Sequence, residues 1–381
     1  MHTGIPLPLN RVNRIAISTY FFIAGLTFAS WASRIPDIKT ELQLTDAGLG
    51  TVLFALPVGL MFSLPLSGLT VGRFGSKIML TIASIIYPLL LVLLGLINST
   101  FQLVIVLFFF GLFANIFNIA VNTQAVSLEA KYGRSIMASF HGVWSVAGFS
   151  GALIATLVVN LHLNTLAHFC IICGLALGLG LAANRFTLLH DVGAKNQPIF
   201  VMPGKALLLL GAMAFCTMVC EGTMFDWSGV YFQKVVQAPK AYITVGYAAF
   251  MGAMAGGRFV GDKLAVRLGT KKTLQMSGVV IALGLLLAVA LPYFATATIG
   301  FLLVGFGVSS VVPLVYSIAG RSATMSPGAS LAAVSTIGFI GFLIGPPTIG
   351  FIAQAASLRW SFTLIALLGF CTSLLALRLK K

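Results

Sequence analysis

Charged side chains are scarce in this sequence. They make up 8% of its 381 residues, and only 8 residues are Asp or Glu, whereas soluble proteins usually contain about 25% charged residues. Apolar residues reach 59%. A water-facing shell cannot be built from this composition. A soluble globular domain is therefore excluded, and a lipid bilayer must be the solvent.

Motifs for ATP hydrolysis and metalloprotease chemistry are also missing. The sequence contains neither GxxxxGK[ST] nor HExxH, and it shows no nucleophile–base constellation. Its five cysteines lie inside apolar runs, and Cys170 and Cys173 lack the second ligand pair that a zinc site needs. We therefore expect neither an enzyme nor a cofactor or metal, and an ion gradient becomes the natural source of energy.

The net charge of +15 does not indicate a nucleic-acid-binding protein. Such proteins gather basic residues on one solvated face or motif. Here the basic residues occur singly, in pairs or in threes between long apolar runs. Lys and Arg in short loops control the orientation of membrane spans, and this is the role that we assign to them.

The apolar runs predict an all-α membrane protein. A transmembrane helix needs about 20 mostly apolar residues, and short polar stretches separate twelve such runs. The first run is expected to remain in the protein, because it lacks the short core and small-residue cleavage site of a signal peptide. The predicted spans are 12–33, 46–70, 77–97, 101–127, 135–159, 164–184, 205–232, 241–262, 272–292, 295–319, 328–355 and 359–378.

Basic residues are divided unevenly between the two sides of this arrangement. If the N-terminus is cytoplasmic, the opposite side receives only Arg34, Lys39, Lys234, Lys240 and Arg359. All other Lys and Arg residues fall on the cytoplasmic side. By the positive-inside rule, both termini are cytoplasmic and the protein is a multi-pass inner-membrane protein.

Two halves repeat a common pattern. Residues 1–190 and 205–381 each hold six predicted spans, and the cytoplasmic linker 191–204 separates them. One constant offset relates Arg73, Gly75, Lys77 and Gly151 to Arg267, Gly269, Lys271 and Gly345. Parallel halves that hold a substrate between them near mid-membrane are typical of one large class of transporters.

Four stretches resemble the major facilitator superfamily, in particular its YbjJ- and MosC-like bacterial branch, which is distantly related to fucose permease. They are ASWASRIPDIK (29–39), FHGVWSVAGFSGA (140–152), EGTMFDWSGVY (221–231) and GFLIGPPTIGFIA (341–353). The resemblance implies two six-helix bundles and alternating access. It departs from the family pattern at Gly72, where an acid is usual, and in span 5, which lacks the Gly-Pro signature of drug antiporters.

Glu221 and His141 are the candidate proton-coupling residues. Ionisable groups inside a span are costly and are functional candidates for that reason. Glu221 lies well inside span 7, where burial favours the proton-carrying form of a carboxyl group. His141 lies in the inner half of span 5, and histidine is a natural proton carrier. The alternative for either residue is a purely structural hydrogen bond between helices.

The candidate substrate-binding residues include a polar stripe on span 4. Asn115, Asn118 and Asn122 recur at helical spacing on an otherwise apolar helix, so they face protein or water rather than lipid. Asparagines bind hydroxyl-rich ligands, but they also join helices. The other candidates are His141, Trp144, Glu221 and Tyr247.

Two further groups are candidates for gates. Asp226 is expected near the outer end of span 7, where it could pair with Arg34 at the end of span 1, although Arg34 could equally form a local pair with Asp37. The resemblance to the family's cytoplasmic gating motif adds the second group. Its members are Arg73, Lys77, Arg258, Asp262 and Arg267.

The leading functional hypothesis is a monomeric, proton-coupled symporter that takes up a small polar solute, such as a sugar or sugar-like compound. An efflux antiporter that exchanges protons for a drug or metabolite would use the same fold. A membrane sensor or scaffold that transports nothing is the alternative from another class. It predicts neither an occluded polar cavity nor an effect of removing Glu221.

The charge distribution predicts where the C-terminus lies. A reporter that is active only in the cytoplasm should be active when it is fused after Lys381, because the basic loops orient the spans. A periplasm-specific reporter at the same position should be silent. The reverse pattern would show that the orientation is wrong.

Overall fold

The computed structural model describes residues 9–133, 136–189, 204–321 and 327–379. The side chains of Leu9, Asp262 and residues 327–329 are also outside this description. The predicted linker, except its last residue, and the C-terminal Lys381 therefore lie outside the described residues.

The described chain is built from long helices. The first half contains α1 (Leu9–Glu41), α2 (Asp46–Leu53), α3 (Ala55–Phe74), α4 (Ser76–Leu94), α5 (Thr100–Tyr132), α6 (Met137–Asn160) and α7 (Thr165–Asn184). The second half contains α8 (Lys205–Lys234), α9 (Val245–Leu268), α10 (Thr270–Ala290), α11 (Phe294–Ala319), α12 (Pro327–Ala355) and α13 (Leu358–Leu377). Helices satisfy their own backbone hydrogen bonds, which lipid cannot do for them.

The predicted twelve-helix membrane fold is confirmed. Eleven helical units are long and apolar enough to cross a bilayer, with α2 and α3 counted as one unit, Asp46–Phe74. The twelfth crossing is α9, which is less apolar because it contains several glycines and Arg258. A charged residue such as Arg258 inside a span usually faces the protein interior and serves a function there.

Some predicted boundaries were wrong. The first helix does not end near residue 33 but continues to Glu41, with Pro36 inside it. Arg34 and Lys39, predicted to be loop residues, therefore lie on the last turns of α1. The second span is interrupted at Phe54, where α2 gives way to α3. Hydropathy marks where lipid ends, and a helix packed against protein continues past that point.

The two halves repeat local geometry at the predicted offset. Gly75 and Gly269 join α3 to α4 and α9 to α10, both at φ 83°. Their N–H groups donate to the carbonyls of Val71 and Ala265, which are related by the same offset. Glycine is required at this backbone conformation because a Cβ atom would be strained there.

Helix packing repeats as well. Gly111 of α5 lies so close to the carbonyl of Leu56 that a Cβ atom would collide with it. At the same offset, Gly305 of α11 lies equally close to the carbonyl of Phe250. Small residues allow helix backbones to approach closely in membranes. The division into domains 1–190 and 205–381 stays a prediction, and these matched contacts support it.

The main contacts between the halves join α1 with α8, α2 with α12, and α6 with α9, whereas α3 and α12 touch only slightly. We call the end of the bundle where α1 begins and α13 finishes the terminal end. The far end is the opposite one, where α1 meets α2 and α8 meets α9. The central space between the halves therefore lies between α1, α3, α5 and α6 on one side and α8, α9 and α12 on the other.

The glycine contacts predict matched effects in the two halves. Gly111→Ala and Gly305→Ala should each lower the stability of the protein by about 1–3 kcal/mol, because the new methyl group overpacks a helix crossing. The melting temperature of purified protein measures this. Gly72→Ala is the control, since a Cβ at Gly72 meets nothing within 4 Å. Unchanged melting of both core variants would contradict the assigned packing.

Candidate functional site: a central cavity between the halves

A cavity of about 310 Å³ lies between the two halves. Both halves line it, and its size is near the lower limit of small-molecule sites, which span about 300–1,000 Å³. Most of its wall is apolar and aromatic. The charged side chains that line it are Glu221 and Asp226 of α8 and Arg258 of α9.

Glu221 and Arg258 form a partly buried ion pair. The distance from Arg258 Nη2 to Glu221 Oε1 is 3.9 Å, and the two side chains are 20% and 13% exposed. Arg258 also donates from Nη1 to the backbone oxygen of His141, at 3.0 Å, and its guanidinium lies 5.7 Å from the centre of the Trp144 ring. A charge pair of the second half is thus attached to α6 of the first half.

This position corrects the expectation for Arg258. The sequence placed it at a cytoplasmic gate, but its side chain lines the central cavity. The reason lies in the packing of α6 against α9. Gly142 and Gly148 face Phe259 and Met251 so closely that a Cβ atom would collide with the side chain or touch it. This contact brings α9 deep into the interface, and Arg258 with it.

Asp226 does not pair with Arg34, so this predicted pair is wrong. Arg34 instead donates to Asp37 Oδ2 at 2.7 Å, to Nδ1 of His168 at 3.2 Å and to the carbonyl of Leu163 at 3.2 Å. The alternative pair with Asp37 is the one that forms. Because α1 continues past residue 33, Asp37 lies one helical turn from Arg34 and within reach.

Asp226 faces the central cavity without a partner. Its side chain is neither buried nor fully exposed, and it makes no hydrogen bond or ion pair with any described residue. The cavity therefore contains one carboxylate that is paired with an arginine and one that is not.

The asparagine stripe of α5 is divided between two roles. Asn115 and Asn118 line the cavity, whereas Asn122 is not among the lining residues. Asn115 is buried and donates to Ser63 Oγ of α3 at 2.6 Å. Asn122 donates to the backbone and side-chain oxygens of Asn118, at 2.8 and 2.9 Å. Of the three, Asn118 is the most exposed to the cavity.

The predicted ring-bearing residues are also divided. His141 and Trp144 line the cavity, and His141 packs edge-on against Phe21 with ring centres 5.5 Å apart. Tyr247 does not line it but lies behind Phe225, fully buried, with ring centres 6.4 Å apart. Its hydroxyl group is buried and has no hydrogen-bond partner among the residues that the structure describes.

An aromatic cluster around Phe225 was not predicted. The Phe225 ring lies 5.2 Å from Phe28 and 6.1 Å from Trp144, both on the first half, and it stacks on Phe342 of α12 at 6.4 Å. These four rings all line the cavity. In an apolar sequence with 30 phenylalanines, nothing distinguishes a cavity ring from a lipid-facing one.

Sequence reasoning also missed the ionic cluster that joins the halves at the far end. Asp46, at the start of α2, accepts from Lys39 at 3.0 Å and from Lys234 of α8 at 2.9 Å. Asp46 and Lys39 are nearly buried, whereas Lys234 is 45% exposed. The separation of 188 residues between Asp46 and Lys234 left no signal in the sequence.

Backbone contacts close the same end. A Cβ atom at Gly50 of α2 would collide with the carbonyl of Pro346 and the backbone of Gly350, and one at Gly350 with the carbonyl of Asp46. Pro36 of α1 covers Gly229 of α8 in the same way. The far end is thus sealed by small residues and by one shared carboxylate.

The terminal end lacks an equivalent seal between α3 and α12. Among the described residues, no hydrogen bond or ion pair joins these two helices, and Gly68 faces open space. The predicted gating residues Arg73 and Arg267 are exposed, and Lys77 is partly exposed. The side chain of Asp262 lies outside the described residues. The cavity is therefore closed at the far end and less closed at the terminal end.

These features define a class of protein. Secondary transporters have this architecture of two six-helix halves around a central cavity that contains a few polar and charged side chains. Residues 17–330 match the family model of the Major Facilitator Superfamily. The chain belongs to this family of membrane transporters, which confirms the resemblance seen in the sequence and the expectation that it is not an enzyme.

Relatives extend over nearly the whole chain. It is 37% identical over 348 residues to an uncharacterized MFS-type transporter of Yersinia pestis, with 91% of each chain covered. It is 31% identical over 373 residues to membrane protein MosC of Rhizobium meliloti, which covers 97% of this chain and 90% of MosC. This similarity to bacterial transporters implies a multi-pass protein of the inner membrane.

Solved structures show the same fold. A bacterial homologue of the human lysosomal transporter Spinster, in an inward-facing and unoccupied conformation, superposes with a TM-score of 0.76 at 14% identity and covers 98% of this chain and 97% of its own. A mutant of the nucleoside transporter NupG gives the same score and identity, with 98% and 100% covered.

The far-end cluster predicts how one substitution shifts the conformational equilibrium. Asp46→Asn leaves the ammonium groups of Lys39 and Lys234 together without a carboxylate, so the far end should open roughly tenfold more often, equivalent to about 1.4 kcal/mol. A cysteine at Ala114 in the cavity, in a protein without its five native cysteines, reports this as faster labelling by an impermeant maleimide from the far side.

Asp37→Asn is the matched control for this experiment. It removes a carboxylate at the same end, but its partner Arg34 belongs to the same half. Its labelling rate should stay at that of the parent protein. Equal rates for Asp46→Asn and the parent would show that the cluster does not hold the far end closed.

Proposed function

We propose that this transporter takes up a small polar solute by proton-coupled symport, with both termini in the cytoplasm. The observation that carries the proposal is the Glu221–Arg258 pair, because it lies in the cavity and its arginine also contacts the opposite half. On this orientation the far end faces the outside, and the structure corresponds to an inward-facing state.

The coupling follows from the chemistry of the pair. When Glu221 accepts a proton, it loses its charge, and Arg258 loses its ionic partner. Arg258 then keeps its contacts with the backbone oxygen of His141 and the ring of Trp144 on the first half, and with Met254 Sδ on its own helix. Proton binding thus changes the balance of contacts between the halves. A ligand can shift a conformational equilibrium only by such a difference between states.

The solute would lie between Asn118 and the rings of Trp144 and Phe225. Asn118 offers amide groups on the first half, and the released carboxyl of Glu221 offers a donor on the second. A solute in contact with both halves stabilises a closed state, as alternating access requires. Asn115 and Asn122 support this site through their hydrogen bonds to Ser63 and Asn118. His141 stays a second candidate for the proton.

The cavity would become accessible from the opposite side of the membrane when the far end opens and the terminal end closes. Opening the far end requires Lys234 to leave Asp46, and α2 to separate from α12 at Gly50. Closing the terminal end would bring the predicted gating motifs, with Arg73, Lys77 and Arg267, towards the opposite half. The exposed positions of Arg73 and Arg267 agree with a terminal gate that is open in this state.

An efflux antiporter is the second candidate. The aromatic wall of the cavity favours it, because rings bind less polar solutes well. It uses the same cavity and the same proton-accepting carboxylate, with the solute moving outwards. A sensor or scaffold gains no support, since it does not account for a cavity between the halves that contains Glu221, Asp226 and Arg258.

Glu221→Gln tests the coupling. We expect this variant to abolish solute accumulation driven by a proton gradient and to retain solute exchange, because glutamine copies the protonated carboxyl group. The solute is first found by thermal-shift screening of sugars, polyols, amino acids and organic acids, since a ligand stabilises the folded state by mass action. Uptake and exchange are then measured in proteoliposomes.

Glu41→Gln is the matched control, because Glu41 is an exposed glutamate at the far end, away from the cavity. It should transport like the wild type. Proton-driven accumulation by Glu221→Gln at the wild-type rate would refute the role of Glu221. His141 would then be the next residue to test.

A further inference from the structure

The charges that line the cavity do not cancel. Glu221 and Asp226 contribute two negative charges and Arg258 one positive charge, and no other described residue in the lining is Asp, Glu, Lys or Arg. With His141 neutral, the described lining carries one excess negative charge. Since Arg258 lies beside Glu221, the excess is located at Asp226.

An unpaired carboxylate is unstable in such a place. Removing a charge from water is costly unless it is paired or coordinated, and charges inside a membrane span are generally paired or mark a substrate pathway. Asp226 has no partner among the described residues. The described residues supply no positive charge for it, so a proton or a cationic ligand is the natural partner.

The surrounding rings favour a cationic ligand. Phe225 precedes Asp226 and lines the same cavity, together with Phe28, Trp144 and Phe342. Aromatic faces attract cations, and they do so most strongly where water is excluded. Arg258 places its guanidinium over Trp144, so one ring of this wall already contacts a cationic group.

We propose that the cavity binds a small organic cation with a single positive charge, and that the carboxylate of Asp226 receives this charge. The body of the ligand packs against the aromatic wall. This inference rests on the proposed function, since it takes the central cavity as the substrate site, and it names the chemical class of the substrate.

Three other groups in the cavity shape this preference. Arg258 lies 3.9 Å from Glu221 on α8 and offsets its charge, so Glu221 attracts a cation less strongly than Asp226 does. Arg258 on α9 repels a second cation, which directs the ligand towards Asp226. His141 on α6 would weaken binding if it were protonated. A proton on Asp226 itself also competes, so cation affinity should fall at low pH.

The wild-type protein tests the proposal directly. The probes are two pairs of matched shape, choline with 3,3-dimethylbutan-1-ol and butylammonium with butan-1-ol. We expect the cation to bind at least about tenfold more tightly than its neutral partner, because charge-assisted and cation–π contacts are lost in the neutral compound. Titration calorimetry and thermal shift in detergent at neutral pH measure this without any ion gradient.

Variants of Asp226 locate the site. Asp226→Asn should lose the preference for the cation within each pair, and Asp226→Glu should keep it, because only the second retains the charge. Glu41→Gln is again the control and should behave like the wild type. If Asp226→Asn does not fold, the wild-type comparison still decides whether the cavity prefers a cation to its neutral partner.

Equal binding of cation and neutral partner in both pairs by the wild type would overturn the proposal. A cation preference that survives Asp226→Asn in a folded protein would overturn the role of Asp226. Both results are obtained at equilibrium, so they are independent of proton-driven accumulation. If the Glu221→Gln experiment showed no coupling role, the inference that the substrate is a cation would still hold. If the cation-binding experiment failed, the coupling experiment would be unaffected.

Discussion

The structure depends on one constraint: within a bilayer, polar groups and charges must find partners inside the protein. Helices solve this for the backbone. Charged side chains find their partners through tertiary contacts. Arg34 is satisfied by Asp37, His168 and Leu163, and Asp46 is shared by two lysines. Where the protein leaves a charge without a partner, as at Asp226, a ligand has a reason to bind.

A second constraint is that the two halves must meet closely at one end and yet be able to separate. Glycine at positions 50 and 350 allows backbone contact, and the Asp46 cluster adds an interaction that water can replace when the end opens. Neither contact uses large interlocking side chains across this seal. A seal of this type holds the far end closed in one state, yet it opens at a small cost in free energy, as alternating access requires.

Much of the fold was predictable from local patterns. Hydropathy gave the twelve crossings, and a constant offset gave the equivalence of Gly75 and Gly269, which share one backbone conformation. Of the predicted substrate-binding residues, Asn122 and Tyr247 do not line the cavity, and the other five do: Asn115, Asn118, His141, Trp144 and Glu221. Their role in binding stays a prediction. Polar residues are rare in such spans, so each one is conspicuous. The same reasoning erred for Arg34, Arg258 and Tyr247, because their partners depend on helix lengths and crossings.

The sequence by itself determined the class of protein, the number of spans and the set of polar residues available for function. These depend on composition and on the lengths of apolar runs, which decide directly which segments are stable in a bilayer. Only the tertiary structure decided which charges meet. Glu221 has Arg258, Asp46 has Lys234, and Asp226 has no partner in the described part of the chain. These pairings join residues from different helices or distant parts of the chain, and they arise from close packing at glycines. No pattern along the sequence encodes such a distance.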